Sequence, residues 1–385
     1  MNRIARAMTL AAVVTSVGIA SATDGTWIKD NGNCTWSTTG YWIRGTVPDG
    51  GLATFWSCPA QMNIDLPSVT LRGLLRSGNR ATTFTNEVNG LTFIGENPFL
   101  INSASLLTMN GPLVGTGANR LEIGGNGGMV FKNLASNFGE VAVVDGAVTL
   151  PATSGTILSH GNVTVGDGEI RVSPALAAGE SADLTMCDDE GSRFVCGPGF
   201  GRLSLNHGEG EGVTLTLPSI AISNGALCVN SATSLASLGE ADKLLVSDPP
   251  EVVNGMVSPG IALYDATSTK TGTHKGSFFA TYDSEKGLVP AADPVAWDAA
   301  ADQSAAIVHL ADSATVETPK SVYAMYWDLA NARTLTLGSD LKILSGGLIA
   351  NVAADDNVSG VSIDGEGAID FGDRQGVLRG SAFGS

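Results

Sequence analysis

Positive charge is the scarcest commodity in this chain. Lys and Arg number 21 against 38 Asp and Glu, and charged residues of both signs make up 15% of the sequence. Nucleic acid and anionic membranes are bound by Lys and Arg that displace counterions, so a net charge of −17 argues against both as partners. Cysteine is sparse too. Cys34, Cys58, Cys187, Cys196 and Cys228 contain no Cys-x-x-Cys, and the four histidines (His160, His207, His274, His309) are scattered, which speaks against a zinc site and implies no cofactor. In an oxidising compartment Cys34 could pair with Cys58 and Cys187 with Cys196, leaving Cys228 as a small buried apolar residue. Only 15 prolines occur and Gly-X-Y periodicity is missing, so collagen is excluded. Beyond the amino terminus no apolar run approaches the roughly 20 residues a membrane-spanning helix needs.

What is present begins with the first 22 residues. Residues 1–7 carry Arg3 and Arg6 and no acid; residues 8–20 are uncharged and rich in Leu, Ala, Val and Ile; Ala20-Ser21-Ala22 follows. This is the layout of a signal peptide cut after Ala22, which predicts export across the inner membrane and a mature chain starting near Thr23. Glycine is then the strongest signal: 49 residues, about one in eight against an average near 7%. Combined with 43% hydrophobic residues, so much glycine predicts a folded chain of short strands that turns very often.

A pattern recurs. VAVVDGAVTL at 141–150, VTVGDGEIRV at 163–172, IAISNGALCV at 220–229 and LKILSGGLIA at 341–350 share one form, and VSIDGEGAIDF at 361–371 fits with one insertion. LEIGGNGGMVF at 121–131 and LTMNGPL at 107–113 are looser relatives. Each unit reads as two period-2 strands joined at Asp-Gly, Asn-Gly or Ser-Gly, where Gly supplies a positive φ. Two architectures give this pattern: stacked hairpins, or a parallel β-helix in which the bend redirects the chain from one face to the next. The recurrence at 22 residues (141 to 163) and 20 residues (341 to 361) is about one solenoid coil, and it favours the β-helix. Alternate positions Val141, Val143, Val148, Leu150, Val163, Val165, Ile170 and Val172 are then expected to face the core.

The predicted organisation is a signal peptide (1–22), a Trp- and Gly-rich cap (23–63), repeats at 64–230 interrupted by a Gly-rich insertion near 187–202, an irregular connector (231–332), and resumed repeats at 333–385. The Ser/Ala/Leu stretch at 231–245 suggests a short helix. Trp27, Trp36, Trp42 and Trp56 are expected to shield the first coil. The last residues, with Arg379 and Gly380, carry no capping pattern, which suggests a chain that is incomplete or anchored by another protein.

The opening GTWIKDNGNCTWSTTGYWIRGTVPDGGLATF at 25–55, with Trp27, Trp36-Ser37, Trp42, Val47-Pro48 and Ala53-Thr54-Phe55, resembles that of autotransporter-associated β-strand repeat proteins. SFFATYDSEKGLVPA at 277–291 is similar to their connector, and TLTLGSDLKILSGGLIA at 334–350 to the repeat. The resemblance, patchy between Gly25 and Phe371, implies a right-handed parallel β-helix and display or release at the bacterial surface. It also implies the outer-membrane translocation machinery as a partner, with cell-surface, matrix or carbohydrate ligands for the passenger. The family shares no catalytic residues, so none is carried over, and the chain shows no strand pattern of an outer-membrane barrel. The expected function is therefore structural or adhesive and non-catalytic, with a carbohydrate-active β-helix enzyme as the alternative.

No residue qualifies as a catalytic, cofactor or metal site on sequence alone. The best acidic cluster is Asp188-Asp189-Glu190 near Arg193, but neighbours on a strand point to opposite faces, so they cooperate only in a loop. Asp355-Asp356 and the group Asp293, Asp298 and Asp302 fall where Asp bonds the backbone of turns. GDGE at 166–169 and DGEG at 364–367 echo calcium-binding repeats without the nonapeptide period, and GGNGG at 124–128 lacks a neighbouring lysine. Asn162-Val163-Thr164 matches a glycosylation sequon that matters only in a eukaryotic secretory cell.

Overall fold

Strands of two to ten residues, many of them ended by a glycine-containing bend, cannot bury both faces alone, and the chain solves this by laying most of them beside a counterpart in the next repeat. The computed structural model describes residues 22–30, 32–85, 90–103, 105–132, 137–265, 276–329, 333–352 and 362–380. The predicted signal peptide lies outside them apart from Ala22. Among the described residues the only helices are three 3-10 turns, Thr39–Tyr41, Ile43–Gly45 and Leu235–Ser237. The protein is all-β, built on long parallel sheets, an arrangement consistent with a β-solenoid.

Two sheets share the repeats. One runs through Thr23–Trp27, Gly50–Phe55, Val69–Arg76, Phe99–Asn102, Arg120–Gly124, Glu140–Val143, Asn162–Val165, Phe194–Cys196 and Ile220–Ile222. The other runs from Asn33–Thr35 through Ala147–Leu150 and Glu169–Val172 to Gly199–Leu205, Gly225–Ser231 and Ile261–Asp265. The two halves of one repeat do not pair with each other. Val141 pairs in parallel with Val163, and Val148 with Ile170. Stacked hairpins are thereby overturned: the Asp-Gly bend at Asp145-Gly146 passes the chain from one sheet to the other.

Register is kept across the stack. Leu107, Met129, Val148, Ile170, Leu203, Val229 and Leu263 are successive cross-strand partners, all at most 3% exposed. The eight residues expected in the core are all buried. Trp27, Trp36 and Trp42 close the start of the stack, Trp42 edge-on to Trp27 and Trp36 at 5.1 and 5.0 Å, above Phe55 and Phe84. Trp56 does not join them and is 68% exposed.

Three sequence expectations need correction. The supposed insertion near 187–202 supplies regular rungs, Phe194–Cys196 and Gly199–Leu205; the extra length is a third-face strand, Ser181–Thr185, which pairs with Gly212–Leu217 and onward to Asp242–Val246. The stretch at 231–245 holds only the turn Leu235–Ser237 and the start of a strand, because alternating Asp242, Leu244 and Val246 face the core. The connector at 231–332 is largely strand. Gly276–Asp283 runs antiparallel to both Ile261–Asp265 and Gly287–Pro290, and Gly287 joins Leu244 in parallel, so this hairpin ties the second and third faces into one 15-stranded sheet. Among the described residues no disulfide links the five cysteines.

A second stack follows, with Gln303–Leu310, Lys320–Leu329, Leu341–Ile343 and Gly347–Val352 in one parallel sheet and Ala314–Val316, Thr334–Leu337 and Ser362–Gly365 in another. Met256, Phe279, Ile307, Ala324 and Ile349 form one apolar cluster across the junction. Arg379 crosses it too, its Nη2 donating to Leu227 O at 2.9 Å and Gly260 O at 3.1 Å.

Candidate functional site

The predicted acidic cluster lies in a turn, not on a strand. After Ser181–Thr185 the chain reaches Cys187, which adopts a φ of 62° and donates its N–H to Ser159 O at 2.8 Å. Asp189 N bonds His160 O at 3.0 Å, so the turn is stitched to the corner of the preceding repeat. Asp188 Oδ1 thereby comes 2.6 Å from His160 Nδ1, and one ligand atom each of His160, Asp188 and Asp189 lie within 4.8 Å of one another. An imidazole and two carboxylates are a donor set for a divalent transition metal. The two acids are exposed and His160 is half-buried. Glu190 stays outside this group; Arg193 gives its backbone N–H to Asn162 Oδ1 at 2.9 Å, which engages the sequon amide. Burial pushes the Cys187 thiol up to about 12, with the Asp188 charge adding to it, so Cys187 is no thiolate nucleophile.

The remaining acidic candidates behave as turn residues. Asp298 Oδ1 accepts from Ala300 N at 2.9 Å and Asp302 Oδ1 from Ser304 N at 3.0 Å, while Asp293 is exposed. Asp364 Oδ2 accepts from Ser362 Oγ, and Asp167 Oδ1 from Phe200 N one repeat away. Asp355 and Asp356 lie outside the described residues. GGNGG at 124–128 serves close packing: a Cβ on Gly125, whose φ is 106°, would sit 2.3 Å from Asn102 O.

A second constellation was not singled out from sequence. His207 follows the strand Gly199–Leu205, Ser231 ends its neighbour Gly225–Ser231, and Asp242 opens Asp242–Val246 on the third face. Asp242 is fully buried, and a buried carboxylate needs partners. His207 Nδ1 lies 2.9 Å from Asp242 Oδ1, and Ser231 Oγ donates to Asp242 Oδ2 at 2.6 Å. Thr233 gives its N–H to Ser231 Oγ and holds its own Oγ1 3.4 Å from His207 Nε2. No periodic signal marks these residues, since they meet only because adjacent repeats and the third face converge at one corner.

A third polar group lies on the outer face of the second sheet. Glu169 takes Arg171 Nη2 at 2.7 Å and Ser204 Oγ at 2.6 Å, with Arg202 at 3.9 Å. Burial pushes the Glu169 carboxyl up, but the hydrogen bonds of Arg171 and Ser204 and the two guanidinium charges outweigh it and hold it below its ordinary value. Arg202 also lies over the Tyr264 ring, at 5.6 Å. No protein-family model matches the chain, nor does any curated protein or any solved structure.

Proposed function

We propose that this chain is an exported structural or adhesive protein of the bacterial surface, a right-handed parallel β-helix akin to the passengers of autotransporter-associated repeat proteins. The observation that carries this reading is the outward column of the second sheet. Gln61, Thr83, Thr108, Val130, Thr149 and Arg171 are successive register partners, half-buried or exposed and dominated by polar side chains; the column goes on to Ser204 and Asn230, which are buried. Rungs about 4.8 Å apart turn such a column into a long face of near-equivalent weak sites, which gains avidity from repetition rather than from one pocket. Right-handedness is supported by the general hand of parallel crossover connections. Export is supported by the amino-terminal pattern of Arg3, Arg6, the apolar run and Ala20-Ser21-Ala22.

The test is adhesion of the purified protein to a panel of immobilised plant, algal and host polysaccharides and matrix proteins. Binding that strengthens with ligand density and leaves the ligand intact is expected. Depolymerisation that is lost in Asp188→Asn and Asp189→Asn variants overturns the reading in favour of a carbohydrate-active enzyme. Export is checked separately: the secreted protein is expected to start at Thr23 by amino-terminal mass spectrometry.

A further inference from the structure

We propose that Thr233 is a nucleophile activated by His207, with Asp242 as the positioning residue, in an acyl-transfer site that accepts carboxylic esters. The proposal does not depend on the adhesive reading, since it rests on one corner of the fold and not on its outer face. Burial of Asp242 by itself explains why His207 and Ser231 bond its two oxygens, at 2.9 and 2.6 Å. It does not explain the third contact. A carboxylate on Nδ1 fixes the imidazole as the Nδ1–H tautomer, which leaves a lone pair on Nε2. Thr233 Oγ1 sits opposite that lone pair at 3.4 Å, a looseness common where such pairs tighten only with substrate bound. The accessibility is graded in the sense the chemistry needs. Asp242 is 0% exposed at its side chain and His207 11%, while Thr233 is on the surface. An ester carried on a large molecule therefore reaches the hydroxyl, with the base behind it and the carboxylate deeper still.

The step balances without any outside cofactor. Thr233 Oγ1 forms a bond to the ester carbonyl carbon as its proton passes to His207 Nε2, and the carbonyl electron pair moves onto oxygen. Collapse breaks the bond from carbon to the alcohol oxygen, and the departing alcohol takes the proton from His207. The product is an ester on Thr233. Water, deprotonated by the same Nε2, then releases the carboxylic acid and restores the hydroxyl, so that ester and water become acid and alcohol. Asp242 Oδ1, 2.9 Å from His207 Nδ1, holds the ring in place through both halves. Ser231 holds the carboxylate's second oxygen and, through the Thr233 N–H at 3.2 Å, the backbone that carries the nucleophile.

The probe is p-nitrophenyl acetate, with p-nitrophenol release followed by absorbance and the acetylated residue located by peptide mass spectrometry. The native protein is expected to acetylate at Thr233. Thr233→Ala is expected to lose the label and keep its melting temperature, because the side chain is exposed; Thr233→Ser is expected to restore both label and release. His207→Gln should slow acetylation by about a hundredfold, the scale of a lost general base. Asp242→Asn should lower the plateau of the pH–rate profile, by favouring the wrong tautomer. Acetylation confined to lysines, or Thr233→Ala releasing p-nitrophenol as fast as the native protein, overturns the proposal. A pH–rate profile unchanged in a folded Asp242→Asn protein overturns the positioning role.

Discussion

Val165 stands in an inward column between Val143 and Cys196, with no exposed surface, whereas Thr164 beside it points outward between Ala142 and Val195. A carboxylate placed at 165 finds neither water nor a partner. Val165→Asp is expected to cost roughly 3–5 kcal/mol and Thr164→Asp less than about 1 kcal/mol, a contrast read from the two thermal midpoints by circular dichroism. Glu169 gives a pH-dependent case at the same scale. Its carboxyl is held below the ordinary value of about 4.5, so the stability it contributes is complete above that pH and is lost as the pH falls through the lower folded value. The midpoint of the native protein should accordingly exceed that of Glu169→Gln at neutral pH, and the gap should close in acid. A gap that is constant from pH 7 to pH 2 would refute the ion-paired role.

Bends decide whether the strands can stack as they do. Gly146 has a φ of 76°, and a Cβ there would meet Gly125 O in the previous repeat at 2.0 Å; Gly155 has nearly the same φ, 77°, but open space around it. Gly155→Ala is expected to cost about 1 kcal/mol, and Gly146→Ala clearly more, since the backbone of the neighbouring rung has to move. Equal melting temperatures for the two variants would show that the rungs tolerate separation. The Asp-Gly bend itself was legible in the sequence, and Gly146 takes the expected positive φ. At Asn224-Gly225 the roles are exchanged: Asn224 takes the positive φ, at 55°, while Gly225 is required because a Cβ would lie 1.8 Å from Gly197 O. The sequence shows that a glycine is needed at such a bend. Whether the need is for backbone conformation or for close approach depends on the next repeat.

At the scale of the molecule, the two stacks are joined by few but specific contacts. Arg379 is buried against Leu227 O and Gly260 O, and Phe279 N donates to Tyr326 Oη at 2.5 Å. Arg379→Gln should cost about 1.5–3 kcal/mol in coupling, and Tyr326→Phe about 1 kcal/mol. Calorimetry is expected to show one transition in the native protein and two in the double variant, with limited proteolysis freeing the stack that begins near Val295. A single transition in the double variant would mean that the apolar cluster around Phe279 and Ile349 suffices.

Period-2 alternation and a repeat of 20 to 22 residues determined, without any coordinates, that the strands are short and which residues face the core, and they favoured pairing of each repeat with the next, which the parallel register then decided against hairpins. Those features are local in the chain, and burial of one strand face dictates them. The third face, the closing hairpin and the corner sites were decided only in three dimensions. Asp242 and Ser231 were unmarked letters, and His207 figured only as one of four scattered histidines, because their meeting depends on where separate repeats turn. Arg76 is the plainest instance. It occupies an inward position between Phe55 and Asn102, fully buried, and bonds Asn102 Oδ1 and Ser105 O at 2.6 Å each. No pattern of hydropathy would place an arginine there; the carbonyls of a neighbouring bend, which only the stacked structure supplies, make its burial tolerable.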